Sequence, residues 1–338
     1  MKPPEAADRA SIEALPKVEL HVHLEGAIRP ETLLELSRKN GVDLPPKNLE
    51  ELRDWYRFTG FPHFVEVYMA LSKCVQGPED LERITRDFLR GQAEQNILHT
   101  EATFTALTHY KNTGMPFDEQ FDAIRRARDW ARRELGVTLL LIVDIARDQC
   151  TAQEALLTAR WVAEAHGDGL VAALGLGGYE VGFPPERFTE AFALAAEAGV
   201  PAVIHAGETA GAESVRGAVE ALGAIRIGHG VRALEDATVV DLLKEREIVL
   251  EVCPTSNLCL KVFETLEEHP FPRMLEAGLA VTLNSDDPPL FNTTLNGEHF
   301  RVAKAFGLGL EDFQALHRRA ADASLLPPAD KQRLLERL

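Results

Sequence analysis

Eight short runs rich in apolar residues recur along the chain: Val18–Leu24, His99–Thr105, Val137–Ile145, Leu170–Leu176, Pro201–Ala206, Ile225–Gly228, Ile248–Cys253 and Leu279–Asn284. Most are nearly all apolar, as strands buried on both faces are, whereas half-exposed strands alternate with polar residues. Between them lie amphipathic stretches of good helix formers, among them Pro30–Asn40, Glu79–Gln95, Phe117–Leu135, Ala152–Ala165, Pro185–Ala198, Glu213–Leu222 and Asp236–Lys244. Gly41, Gly136, Gly199 and Gly223 follow directly on four of these stretches, the place where a helix most often ends in a left-handed residue. The alternation predicts parallel βαβ units, and eight is the number of strands that closes a (β/α)8 TIM barrel. A doubly wound open sheet is the competing α/β architecture. No G-x-G-x-x-G follows the first run, which argues against its dinucleotide-binding form.

Two regions fall outside the alternation. Pro45–Gly77 is a long insertion after the first strand–helix unit, with Trp55, Tyr56, Phe58, Phe61, Phe64 and Tyr68. It reads either as a helical lid over the strand ends or as a helical pair packed on the barrel flank. Asn296–Leu338 reads as extra helices closing the C-terminal side. No repeat, low-complexity tract or linker divides the chain, so one domain spanning residues 1–338 is expected, with a lid-like insertion at about 45–77.

Composition narrows the class. Apolar residues make up 45% and charged residues 26%, an ordinary globular balance that excludes a disordered or collagen-like chain. No apolar run approaches the roughly 18–20 residues of a membrane span. The net charge of −17 repels phosphate backbones and anionic membranes, so nucleic-acid polymers and membranes are poor partners and a small molecule is the expected one. Cys74, Cys150, Cys253 and Cys259 form no C-x-x-C, and Met1–Lys17 carries Glu5, Asp8 and Glu13 without the apolar centre of a signal peptide. A reduced, cytoplasmic protein is expected. Its oligomeric state is left open.

The chemistry-bearing residues track the strand ends. The first run ends in His21-Val22-His23-Leu24-Glu25-Gly26, the fifth in His205-Ala206-Gly207-Glu208, the sixth in Gly228-His229-Gly230 and the eighth in Asn284-Ser285-Asp286-Asp287-Pro288. In such barrels the C-terminal ends of the strands carry the active site. An i, i+2 spacing puts the imidazoles of His21 and His23 on one strand face. With His205 and Asp286 they make a three-nitrogen, one-oxygen set that leaves room for water, the open catalytic type. Zinc or another borderline divalent ion suits it, and such an ion lowers the pKa of coordinated water toward about 7. Glu208, on the same rim, is placed to donate a proton to a heteroatom, and His229 to hold or deprotonate the attacking water. The residues thus point to metal-assisted hydrolytic attack on an sp² carbon. Of the other histidines, His63, His99, His109, His166, His269, His299 and His317 carry no such motif and are expected in surface or hydrogen-bonded roles. Cys253 is expected to be inert packing.

These motifs resemble the adenosine deaminase family of the amidohydrolase superfamily. They are H-V-H-L-E-G at 21–26, G-L-G-G-Y-E at 175–180, H-A-G-E at 205–208, G-H-G at 228–230, E-V-C-P-T-S-N at 251–257 and L-N-S-D-D-P at 283–288. The resemblance runs from Leu15 to Leu326. It implies one zinc per chain on His21, His23, His205 and Asp286, with Glu208, His229 and Asp287 catalytic. By the same resemblance Glu208 meets purine N1, the Gly178 backbone faces N3, and Asp287 hydrogen-bonds the attacking oxygen or N7. Glu25 stands where the family's adenosine deaminases carry Asp at the sugar end, which places it near the ribose. The implied reaction is deamination of a 6-aminopurine nucleoside, adenosine or a 5′-extended one such as aminodeoxyfutalosine. Adenine deamination and another mononuclear amidohydrolase activity are the alternatives. The run Leu170–Gly178 contains no Lys to bridge a second metal as in related hydrolases.

Overall fold

A computed structural model describes residues 7–338. Eight parallel strands pair in chain order. They are β1 (Lys17–His23), β2 (Ile97–Phe104), β3 (Thr138–Ala146), β4 (Val171–Gly177), β5 (Ala202–Ala206), β6 (Ala224–His229), β7 (Val249–Val252) and β8 (Ala280–Leu283). Each overlaps one predicted run. Closure between β8 and β1 is made without a regular ladder. The backbone of Asp286 accepts from His23 N–H at 2.9 Å and donates to the His21 carbonyl at 3.1 Å, and Asn284 Oδ1 accepts from the N–H groups of both Leu20 and His21. The result is the expected (β/α)8 barrel. Among the described residues no helix is long and apolar enough to cross a membrane.

A bulge in β1 decides which way its side chains face. The pairing with β2 shifts register between Glu19 and Val22, and such a shift re-aims the side chains that follow it. Below it, Val18 and Leu20 pack with Ala320, Ala321 and Leu334 of the C-terminal helices. Above it, His21 and His23 meet the site residues of β5 and β8. Glu19 binds Gln92 of the helix Pro78–Glu94 and Ser285.

The predicted insertion contains two helices, Leu49–Trp55 and Phe61–Ser72. Asn48 caps the first by accepting from Glu50 and Glu51 N–H. The second supplies Phe61, Phe64, Val65, Tyr68 and Met69 to the wall of the site cavity. The predicted helix Pro185–Ala198 begins instead as a 3₁₀ turn, Pro185–Phe188, before Thr189–Glu197. A helix at Ala106–Thr113 was not expected from its mixed polar sequence. The C-terminal helices Leu295–Phe306, Leu310–Ala323 and Pro328–Leu335 close the end of the barrel opposite the site. There Leu325 packs on Ile142, Ala173 and Val203, and Ala323 O accepts from Arg226.

These helices are joined to β1 by a histidine pair whose tautomers are determined by their partners. His317 Nδ1 accepts from Val18 N–H, so its proton is on Nε2; His299 Nδ1 donates to Leu295 O, so its Nε2 accepts from His317 at 2.8 Å. Neither ring has room for a second proton. Burial lowers His299 to about 3 and His317 well below 6.5. As pH falls through 6.5 the unfolded chain binds protons on both residues while the folded chain does not, so stability is lost toward acid. Each residue removes about 2 kcal/mol between pH 6.5 and 5. Thermal unfolding followed from pH 8 to 5 is expected to show this decline, and a His299→Leu/His317→Leu chain a shallower one. Equal slopes would remove the pair as the cause.

Candidate active site

At the C-terminal end of the barrel the strands bring together the predicted motifs. His21 Nε2 and His23 Nε2 each lie 3.4 Å from Asp286 Oδ1, and His23 Nε2 lies 3.1 Å from His205 Nε2. Four ligands at 2.0–2.1 Å around a tetrahedral ion are about 3.3 Å apart. His21 Nε2 is buried and has no hydrogen-bond partner. Its other nitrogen, Nδ1, meets Glu251 Oε2 at 3.0 Å, the carboxylate–histidine arrangement that orients a metal ligand. Glu251 is in turn held by Arg226, which spans to Glu101 with 2.6 Å contacts on both sides. The spacing and the orphaned nitrogen fit a divalent ion held by His21, His23, His205 and Asp286. Ligand atoms of His21, His205 and His229 also lie within 4.8 Å of one another, which puts His229 beside the same point.

The electrostatics agree with this fit. Burial disfavours charge on His21, but Asp286 and Glu251 outweigh it and push the imidazole up to about 10. The same negative field favours a cation. Burial lowers His23 to about 4 and His205 well below 6.5, leaving neutral rings of the kind that bind metals. His229 and Asp286 have φ of 63° and 64°, a left-handed conformation that is strained for residues other than glycine and concentrates at functional sites.

Glu208 is a buried acid. Burial, followed by repulsion from Asp286 and Glu180, holds its carboxyl well above the ordinary range, and its Oε1 has no partner. A carboxylic acid kept neutral in this way can donate a proton at pH 7. Its loop is anchored by Glu180, whose carboxylate accepts from the N–H groups of Gly207, Glu208 and Thr209 at 2.8–2.9 Å and from the Ser214 hydroxyl at 2.5 Å. Asp287 is likewise held well above its ordinary range by burial and then by Asp286.

The proton on His229 is placed by a relay. Phe271 N–H donates to His269 Nδ1, so His269 carries its proton on Nε2 and donates it to Asn257 Oδ1 at 3.1 Å. The Asn257 amide therefore turns its NH₂ to His229 Nδ1 at 3.4 Å. This leaves a proton on His229 Nε2, which points between Glu208 Oε2 at 3.7 Å and Asp286 Oδ2 at 3.9 Å. Burial keeps the ring neutral, lowering it to about 3. His229 thus offers a donor to the site.

Glu25 is held by residues that border the cavity. Its Oε1 accepts from Thr105 N–H at 3.0 Å and meets His109 Nε2 at 3.1 Å, and its Oε2 accepts from the Tyr68 hydroxyl at 3.2 Å. The carboxylate turns into the gap between β2 and the insertion because that is where three donors wait. Arg29 pairs with Glu94. Glu25→Ala is therefore expected to lower kcat/KM for purine base and nucleoside by the same factor, about tenfold or more, since it leaves buried donors unpaired. A loss confined to nucleosides would place Glu25 at the sugar end. Gly178 does line the cavity; its φ is 83° and a Cβ there would meet Asp148 Oδ1 at 2.3 Å.

Several residues here were not singled out from sequence. Asp144, at the end of β3, lines the cavity, and burial, with the charge of Glu25 acting the same way, pushes its carboxyl up to about 7. A carboxylate inside a buried strand is the signal that marks Asp144 and Glu251 alike. His109 and His269 act through other side chains and leave no motif, and Asn257 stands in the E-V-C-P-T-S-N motif without a role that its sequence reveals. Burial raises the Cys253 thiol well above its ordinary range, which keeps it protonated and unreactive. A larger cleft of about 850 Å³ lies between Arg29, Tyr56, Gln92 and Phe291 and is lined by no histidine.

A barrel whose strand ends gather three imidazoles and a carboxylate beside a buried glutamic acid defines a hydrolase of the amidohydrolase type. Comparison with known proteins agrees. A family model described as adenosine deaminase matches residues 16–338. The aminodeoxyfutalosine deaminase of Streptomyces avermitilis is 38% identical over 96% of this chain and 90% of its own. The structure of adenine deaminase from Arthrobacter aurescens superposes with a TM-score of 0.91 at 33% identity, covering 96% of this chain and 98% of that one. An amidohydrolase from Burkholderia ambifaria with bound Zn superposes with a TM-score of 0.88 at 28% identity, covering 96% and 90%. The chain belongs to the adenosine deaminase family and is a hydrolase acting on C–N bonds.

Proposed function

We propose that the protein hydrolyses the 6-amino group of an adenine nucleoside, adenosine or a 5′-extended nucleoside such as aminodeoxyfutalosine, to the 6-oxo product and ammonia. The observation that carries this reading is the buried Glu208 carboxyl set 3.7 Å from His229 Nε2 beside the cluster of His21, His23, His205 and Asp286. One zinc, held by His21, His23, His205 and Asp286, would supply activation of water at neutral pH. The zinc-bound relative supports the choice of metal.

Each residue then has a task. Glu208 gives its proton to N1, which makes C6 electrophilic as water oxygen attacks it. His229, its Nε2 proton held inward by Asn257 and His269, donates a hydrogen bond that orients the attacking oxygen. Asp287 hydrogen-bonds that oxygen or N7. The attacking water gives up both its protons, one to restore the Glu208 carboxyl after it has protonated N1 and one to the amino group, so the C6–N bond breaks as ammonia leaves and the C6–O bond becomes the carbonyl. The Gly178 backbone meets N3, where a side chain would collide with Asp148. Phe61, Phe64 and Leu260 cover the base with apolar surface.

Adenine itself is the second reading. It is favoured by the internal engagement of Glu25 and by the adenine deaminase neighbour. Ultraviolet absorbance separates 6-amino from 6-oxo purines. Zinc-loaded protein is expected to convert adenosine, or a 5′-extended adenosine, with higher kcat/KM than adenine. Preference for adenine would favour the second reading, and no change with any 6-aminopurine would overturn both.

A further inference from the structure

Besides its apolar residues the cavity has a polar lining from the segment after β2 and from the end of β3 and the residues after it: Thr105, Thr108, Asp144, Asp148 and Gln149. Asp144 is 3% exposed. Its Oδ1 accepts from the Thr105 hydroxyl at 2.7 Å, while Oδ2 has no hydrogen-bond partner among the described residues and lies 2.5 Å from where a Cβ on Gly177 would stand. Gly175 would likewise drive a Cβ to 2.9 Å from Asp144 Cβ. Two glycines of β4 thus make the space this carboxylate occupies. Thr108 is 7% exposed, and its hydroxyl is also unpaired among the described residues. Asp148 accepts from Tyr179 N–H and Gln149 Nε2 and has lone pairs to spare, since a carboxylate has about four acceptor sites.

No Lys or Arg lines this cavity. The nearest guanidinium by sequence, Arg147, is buried outside the lining and gives its Nε and Nη2 to the carbonyls of Leu176, Gly177 and His205. A phosphate brought here would meet two carboxylates and no cation, and like charges brought together in a desolvated site are strongly unfavourable. A group with several hydroxyls would meet open acceptors.

We propose that Asp144, Asp148 and Thr108 form a hydroxyl-reading subsite for the N9 substituent, which accepts a neutral ribose and rejects a 5′-phosphate. This rests on the deaminase reading for the placement of the base. With N3 at Gly178, N9 lies on the same edge of the base, two bonds away across C4, and Asp148 fills the space beside Gly178.

The test compares adenosine, AMP and adenine as substrates of the zinc-loaded protein, with inosine and IMP binding measured by calorimetry. The parent is expected to favour adenosine over AMP by at least 100-fold in kcat/KM and to bind inosine more tightly than IMP. Asp144→Asn, which keeps an oxygen for Thr105, is expected to lower the adenosine-to-adenine ratio by tenfold or more. Asp148→Lys, at a half-exposed position, is expected to narrow the adenosine-to-AMP ratio by tenfold or more. AMP turned over within tenfold of adenosine, or Asp144→Asn lowering adenine as much as adenosine, would overturn the subsite. If no 6-aminopurine is deaminated while inosine still binds more tightly than IMP, the deaminase reading fails and the subsite stands. IMP bound as tightly as inosine fails the subsite whatever the turnover.

Discussion

Glu208→Gln is expected to lower kcat for the 6-aminopurine substrate by about 10²–10⁴-fold, the usual range for a lost general acid, with metal content unchanged. Gln keeps the volume of the side chain and the backbone N–H bonds that Glu180 accepts from this loop, so the fold and the ion cluster should persist. What it loses is a transferable proton. Burial, then Asp286 and Glu180, disfavour the Glu208 anion and hold the carboxyl well above its ordinary range. Metal analysis and kcat on the same preparation check both halves. A Gln variant with near-parental kcat would show that N1 is protonated from elsewhere, and loss of metal would show that Glu208 belongs to the cluster.

Removal of the metal is expected to abolish activity, and one equivalent of zinc per chain to restore it. The geometry offers one set of convergent ligands, His21, His23, His205 and Asp286, and β4 has no Lys to bridge a second ion. Zinc is also expected to raise the unfolding temperature by mass action, because the unfolded chain cannot assemble ligands from β1, β5 and the segment after β8. This readout does not depend on turnover. Two equivalents, both needed for activity, would overturn the single-ion assignment. Glu251→Gln is expected to weaken zinc binding by about 10–100-fold, as loss of a ligand's hydrogen-bond partner does.

The amino-acid sequence by itself determined the barrel and the address of its chemistry. Buried parallel strands must be nearly all apolar, so the eight runs stand out, and a polar residue at a strand's end stands out against them. His21, His23, His205, His229 and Asp286 were legible for that reason, as was Gly178 through its motif. Where partners come from distant elements, local pattern is silent. The β1 bulge depends on Asn284 from the far end of the chain. Glu25 shares the strand-end motif of His23, but its partners Thr105, His109 and Tyr68 come from elements far along the chain. The proton on His229 is set by Asn257, His269 and Phe271 N–H, and a tautomer leaves no trace in sequence. Asp144 became visible only when Gly175 and Gly177 of the neighbouring strand were seen to make room for it. Periodicity reports which face of an element is buried, because burial is a property of the element; a hydrogen bond belongs to two atoms, and only the folded chain decides which two meet.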